Sequence, residues 1–121
     1  LTHLSEVNSK RLLNKLLAWL NVDGIVVVSL HGRFAHKRGP SFDNYGVGDR
    51  WAGIAQGYSS ESGYGYADYY GQDGYGISLS KPAWSVKLIE EFSEIRLLML
   101  SELAWDGHHD VLALQKRDIL S

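Results

Sequence analysis

Gly24-Ile25-Val26-Val27-Val28-Ser29-Leu30-His31-Gly32 is the stretch whose reading decides the fold. Five of the six residues from Ile25 to Leu30 are large and apolar, and four of those are β-branched. β-branched side chains are stiff at χ1 and suit a pleated surface better than a helix. The run does not alternate apolar with polar. It therefore predicts a strand covered on both faces, as a parallel strand is inside an α/β sheet. The run stops at His31-Gly32, where a polar side chain meets a flexible backbone. Ligands of open α/β sheets bind just beyond the carboxyl ends of the strands. His31 is thus the first residue to consider for chemistry.

On the N-terminal side, Ser5 is placed to cap a helix that begins at Glu6, with that acid near the positive helix end. Val7, Leu13, Leu16, Leu17 and Leu20 recur at helical spacing and predict one buried face, bordered by Leu12 and Trp19. Asn21-Val22-Asp23-Gly24 turns the chain into the strand. A helix, a short turn and a buried strand make half of a crossover unit. Upstream, only Leu1-Thr2-His3-Leu4 remains, which reads as the tail of a strand. The chain starts at Leu1 rather than Met, as expected of a processed or partial polypeptide.

On the C-terminal side, Arg33 to about Asp49 reads as irregular. Its basic cluster, Arg33, His36, Lys37 and Arg38, reads as a solvated loop, and Gly39-Pro40 as a turn. Gly57 to Gly76 holds six of the 13 glycines and six of the seven tyrosines, with no Lys or Arg. Two readings stand: low-complexity disorder, or an ordered aromatic loop lining a cleft. Tyrosine offers a ring to stack on and a hydroxyl to bond with. Ser80 and Pro82 then open a helix whose apolar face is Trp84, Leu88, Ile89 and Phe92. Ile95 to Leu100, running on through Leu103, predicts a second strand. Trp105 to Asp110 is a turn, and Val111 to Leu114 a third strand that ends in solvent at Gln115-Lys116-Arg117-Asp118. So short a connection makes the last two strands an antiparallel hairpin.

The bulk properties narrow the classes. At 121 residues the chain is at most one domain, and 45% hydrophobic residues argue against disorder. A formal charge of −2 gives no reason to expect a nucleic-acid or acidic-membrane partner. Without cysteine there are neither disulfides nor thiolate metal sites. No apolar run approaches the roughly 20 residues that cross a bilayer, and the N-terminus lacks a signal-peptide pattern. A cytoplasmic location is the expectation.

The order of elements and several short motifs resemble the C-terminal half of class I S-adenosylmethionine-dependent methyltransferases. The likeness is strongest to the branch found beside glycosyltransferases and in bacterial polysaccharide clusters. In that branch a segment like Leu1-Thr2-His3-Leu4 closes the fourth strand. A helix follows, then a Lys-Pro-Gly-Gly turn, here Asn21-Val22-Asp23-Gly24, then a strand ending in His-Gly. Tyr75-Gly76-Ile77-Ser78, Ser80 and Pro82-Ala83-Trp84 follow. A Trp-x-x-His-Gln-Asp-Val signature comes last, here Trp105-Asp106-Gly107-His108-His109-Asp110-Val111, with His109 in place of the usual Gln.

The resemblance implies a partial Rossmann-like methyltransferase sheet over residues 1–121. It has three strands, the last antiparallel in a hairpin, with flanking helices and a long Tyr/Gly-rich loop. It implies transfer of a methyl group from S-adenosylmethionine to a sugar, glycolipid or small metabolite. The family's cofactor site uses a glycine-rich turn after the first strand and an acidic residue ending the second. Neither has room here. Gly63-x-Gly65 and Gly74-x-Gly76 do not follow a buried strand or open a helix. The expectation is that this chain alone neither binds the cofactor nor is active, and contributes the acceptor side of the site.

The implied sheet order puts the final strand between the first and second, bringing His3, His31 and His108 to one rim. A neutral histidine there is a candidate general base on an acceptor hydroxyl. The bland alternative is that the histidines only bond loop backbone. A three-histidine metal site is conceivable from residue type. The expectation is nevertheless no metal, because no close-spaced pair shares an element and His108 and His109 point apart if extended. Tyr66, Tyr69, Tyr70 and Tyr75 are the candidate acceptor contacts on a covering loop, unless they merely pack on the sheet end. Trp51, Trp84 and Trp105 read as core or rim packing. Two rival readings involve no catalysis: a glycan- or peptide-binding module using the Tyr/Gly loop, and an assembly unit or homo-oligomer formed through a free sheet edge.

Overall fold

The computed structural model describes residues 1–117; Asp118, read from the sequence as a solvated strand end, lies outside them. The elements run α1 (Glu6–Trp19), β1 (Ile25–Leu30), α2 (Arg33–Arg38), 3₁₀ segments at Gly39–Gly46 and Gly48–Arg50, then α3 (Trp51–Ser59). They continue with β2 (Tyr64–Asp68), β3 (Gly76–Ser80), α4 (Pro82–Glu90), β4 (Ile95–Trp105) and β5 (His109–Lys116). The strands form two antiparallel sheets, β1-β5-β4 and β2-β3, in a mixed α/β architecture.

α1 begins where expected. The Ser5 side chain accepts from the Asn8 amide at 3.3 Å, satisfying one of the free N–H groups of the first turn. Leu13 and Leu17 are buried, but Val7 is exposed, since no element packs over the start of the predicted stripe. α4 buries Trp84 and Leu88. The Trp84 indole N–H donates to Glu6 Oε2 at 2.6 Å, tying the two helices together. α1 and α4 lie on the inner face of the larger sheet, with Val26, Leu30, Ile95, Leu112 and Leu114 in one core. Each such side chain stabilises by about 1.5–3 kcal/mol on burial.

β5 does lie between β1 and β4, in antiparallel hairpin with β4. β1 corrects the first reading. It is not a parallel strand covered on both faces. Its ladder is with β5 alone, antiparallel, and Ile25 and Val27 are more than half exposed. Among the described residues no helix covers the outer face, so alternate residues of the apolar run are left in solvent. Among the described residues, the far edge of β1 is engaged only at its end. The Leu1 ammonium donates to Ser29 O and the Ser80 amide to His31 O, both at 2.8 Å. Leu1–His3 lie alongside β3 as well, because the Gly76 and Ser78 amides donate to the His3 and Thr2 carbonyls.

Two further expectations are overturned. The basic stretch after Gly32 is not an irregular loop but helix α2 and 3₁₀ turns. The Tyr/Gly-rich stretch is not a loop but a β-hairpin preceded by helix α3. In that hairpin Tyr64, Tyr66, Ser78 and Ser80 share one face, and Gly65, Ala67, Ile77 and Leu79 the other. The first face meets the core under α1; the second, with Ala35, Val47, Ile54 and Tyr58, makes a separate core under α2 and α3. All five residues of β3 are buried for that reason. α3 can cross β2 closely because Gly65 has no side chain. A Cβ there would overlap the Ile54 carbonyl.

Candidate functional site

The chain leaves β1 at His31, which is 4% exposed. Gly32 follows and packs its backbone against the Asp110 carboxylate, with no space for a Cβ. Asp110 is buried and accepts from the Leu103 amide at 3.2 Å. That amide sits where the β4–β5 register shifts, so the carboxylate replaces a lost ladder partner. Burial raises the Asp110 pKa above the ordinary carboxylate value, opposed by the Leu103 hydrogen bond.

The β1–β5 register ends with Leu30 opposite Asp110, so the next step faces His31 with His109. Their rings lie 5.0 Å apart between centroids. Between β4 and β5 the chain turns through Asp106 and Gly107, both left-handed at φ 55° and 58°. The turn is closed by the His108 amide on the Trp105 carbonyl at 3.1 Å. This turn folds His108 back toward its neighbour. The two rings are 4.9 Å apart, and His108 is 5.4 Å from His31. The premise that His108 and His109 point apart therefore fails, because the pair is at a turn and not in an extended strand.

His3 joins from the N-terminal segment, its ring 6.5 Å from that of His31. His3 Nδ1 is 2.8 Å from the Gly76 carbonyl. A carbonyl can only accept, so Nδ1 donates, which in the neutral ring leaves the lone pair on Nε2. Three of the candidate residues, His3, His31 and His108, are thus brought together. Of the four tyrosines, two are at the rim: Tyr75 and Tyr69 stand 5.0 and 6.1 Å from the His3 ring. The other two are elsewhere. Tyr66 is half-buried against the first core and donates to Asp68 Oδ1 at 2.5 Å. Tyr70 is exposed, donates to Asp49, and carries Arg50 over its ring at 4.1 Å. Trp84 is core, Trp51 packs beside the second core, and Trp105 is exposed next to His109.

Two members of the cluster were not among the candidate catalytic or acceptor-binding residues. One is His109. The other is Tyr45, whose hydroxyl is 2.6 Å from His108 Nε2 and whose ring is 5.0 Å from His31. Asp43, Asn44 and Tyr45 are all left-handed, at φ 55°, 52° and 53°. Such a run is costly for L-residues, above all for a bulky one, and holds only when its surroundings fix it. Here Tyr45 is fixed by His108 and by stacking on Trp51 at 5.8 Å. Phe34 and Phe42 close an aromatic wall around His108, at 5.4 and 5.3 Å.

The electrostatics follow from this crowding. Burial, then the neighbouring His109 and His108, push the His31 pKa down to about 3, against an upward pull from a Ser78 backbone hydrogen bond. His108 is lowered too, by burial and by His109. Burial raises Tyr45 to about 12. Near neutral pH His31 is an uncharged imidazole and a weak base, below the range a general base needs. Its Nδ1 is buried without a hydrogen-bond partner, as is that of His109.

No protein-family model, curated protein or solved structure matches this chain. No helix among the described residues is long and apolar enough to cross a membrane.

Proposed function

We propose that this chain forms the acceptor side of a class I methyltransferase active site, with a sugar, glycolipid or small hydroxylated metabolite as acceptor. The observation that carries the reading is the meeting of His3, His31 and His108, from three distant stretches, with Tyr45, Tyr69 and Tyr75 at the carboxyl end of β1. The Rossmann-like descent of the larger sheet is part of the same proposal, supported by β5 lying between β1 and β4. The reading assigns no S-adenosylmethionine site to residues 1–117. Gly63, Gly65, Gly74 and Gly76 belong to the β2–β3 hairpin and its flanks, not to a strand-to-helix turn. The roles assigned here are therefore confined to the acceptor.

Tyr69 and Tyr75 offer ring faces on which a sugar ring or planar group stacks. Methyl transfer to oxygen needs the hydroxyl held in line and its proton removed. His3 suits the second task better than His31. Its Nε2 lone pair is directed by the Gly76 bond, whereas His31 is too weak a base and serves to position the rim. An NMR titration of the labelled chain tests this. An aryl glycoside is expected to shift the signals of His3, Tyr69 and Tyr75, and S-adenosylmethionine to shift none. Tight, stoichiometric binding of S-adenosylmethionine to this chain would overturn the reading, as would a glycoside that leaves the rim untouched.

A second reading, a non-catalytic assembly module, is favoured by one observation: among the described residues the outer face of β1, and its far edge up to Ser29, are open, with Ile25 and Val27 in solvent.

A further inference from the structure

We propose that His31, His108 and His109 bind one divalent transition-metal ion of the zinc class. The inference goes beyond methyl transfer and needs neither acceptor nor cofactor. Each residue offers one nitrogen, and the three nitrogens lie within 4.8 Å of one another. Around a tetrahedral ion with zinc–nitrogen bonds of 2.0–2.1 Å, donors stand about 3.3 Å apart. Closing the remaining gap takes ring pivots of the two half-buried members, His108 and His109, toward the fixed, buried His31.

Two independent observations point to a ligand. His31 Nδ1 and His109 Nδ1 are buried and have no hydrogen-bond partner, which native interiors rarely tolerate. The surroundings are also those of a metal site. Metal-binding imidazoles take an outer partner on their other nitrogen and sit in an apolar shell. The Tyr45 hydroxyl is that partner for His108, at 2.6 Å, and Phe34 and Phe42 stand against the same ring. An all-imidazole donor set favours zinc, copper, nickel or cobalt over magnesium or calcium. Three protein donors leave a fourth position open, the arrangement of catalytic rather than structural zinc. His109 stands where the resembled family carries Gln. The third imidazole is thus a feature of this chain and not of that family's pattern.

The test uses the full chain stripped with EDTA, near neutral pH, with zinc chloride by calorimetry and cobalt chloride by visible absorption. One ion per chain is expected for each, with the d–d bands of low-coordinate nitrogen ligation for cobalt and no binding of magnesium. Tyr45→Phe should weaken zinc binding about tenfold or more. His109→Gln and His108→Gln should weaken it further and abolish the cobalt bands. His36→Ala, whose ring instead stacks on Tyr58 at 4.2 Å, should leave binding unchanged. Circular dichroism of each metal-free variant separates lost ligation from lost folding, and Tyr45→Phe remains informative where a histidine variant unfolds. The proposal fails if the chain takes up no stoichiometric zinc or cobalt. It fails equally if binding survives His109→Gln and His108→Gln undiminished, or disappears with His36→Ala.

Discussion

His31 couples the rim to stability. Its pKa is about 3 in the folded chain against 6.5 for a free imidazole. Above pH 6.5 the ring is neutral in both states, and its contribution is whole. Between pH 6.5 and 3 the unfolded chain takes up a proton that the folded one refuses, so stability is lost as pH falls. The full window is worth on the order of 5 kcal/mol. Urea denaturation of the metal-free protein between pH 7.5 and 4 should show this decline, and His31→Gln should flatten it. An equal slope in both proteins would assign the acid sensitivity to another group. Nothing in the stretch Ile25–Gly32 announces this behaviour. A histidine at a strand end reads as a base, and only its burial in the folded chain, with His109 and His108 packed against it, makes it a poor one. Tyr45 was illegible for a different reason: no residue preference reports three successive left-handed positions.

At the scale of elements, the hairpin and α3 depend on which glycines are crowded. Gly65 faces the Ile54 carbonyl with no space for a methyl group, whereas Gly53, inside α3, has nothing within 4 Å. Gly65→Ala is therefore expected to destabilise by about 1–3 kcal/mol. Gly53→Ala is expected to stabilise by about 0.5–1 kcal/mol through better helix propensity. Thermal melts of the two variants should move in opposite directions; a shift of the same sign in both would refute the close-crossing account. The same elements show what was legible. The capped start of α1, the Trp84-Leu88 face of α4 and the β4–β5 hairpin follow from spacing and turn chemistry. The β2–β3 hairpin was also written in plain alternation, Tyr64-Gly65-Tyr66-Ala67 and Ile77-Ser78-Leu79-Ser80. Its Tyr/Gly composition drew attention away from that period. α2 is only six residues long, too short to hold by itself, and α3 contains two glycines, so local sequence marks neither. Tertiary packing on the hairpin decides both. The uninterrupted apolar run of β1 named the element correctly and its burial wrongly, because burial on the second face needs a layer that residues 1–117 do not supply.

At the scale of the whole molecule, that uncovered layer is an exposed apolar surface. Val27, Ala113 and Met99 form one cross-strand row; Val27 is 61% exposed and Met99 43%, with Trp105 60% exposed beyond them. Exposed apolar patches of this kind mark association surfaces. Light scattering behind size exclusion should show mass rising with concentration, and Val27→Lys should return the chain to a monomer. A monomer at every concentration for the unaltered chain would remove the assembly reading. The placement of the β2–β3 hairpin has a different consequence. Because its two faces are the floor of one core and the ceiling of the other, opening either core strips one face of the hairpin. The residues of β3 are buried on both sides, so their amides are expected to be among the slowest to exchange. A ligand held at the rim, beside Gly76 and Ser80, would then tighten the entire chain and not just its own neighbourhood.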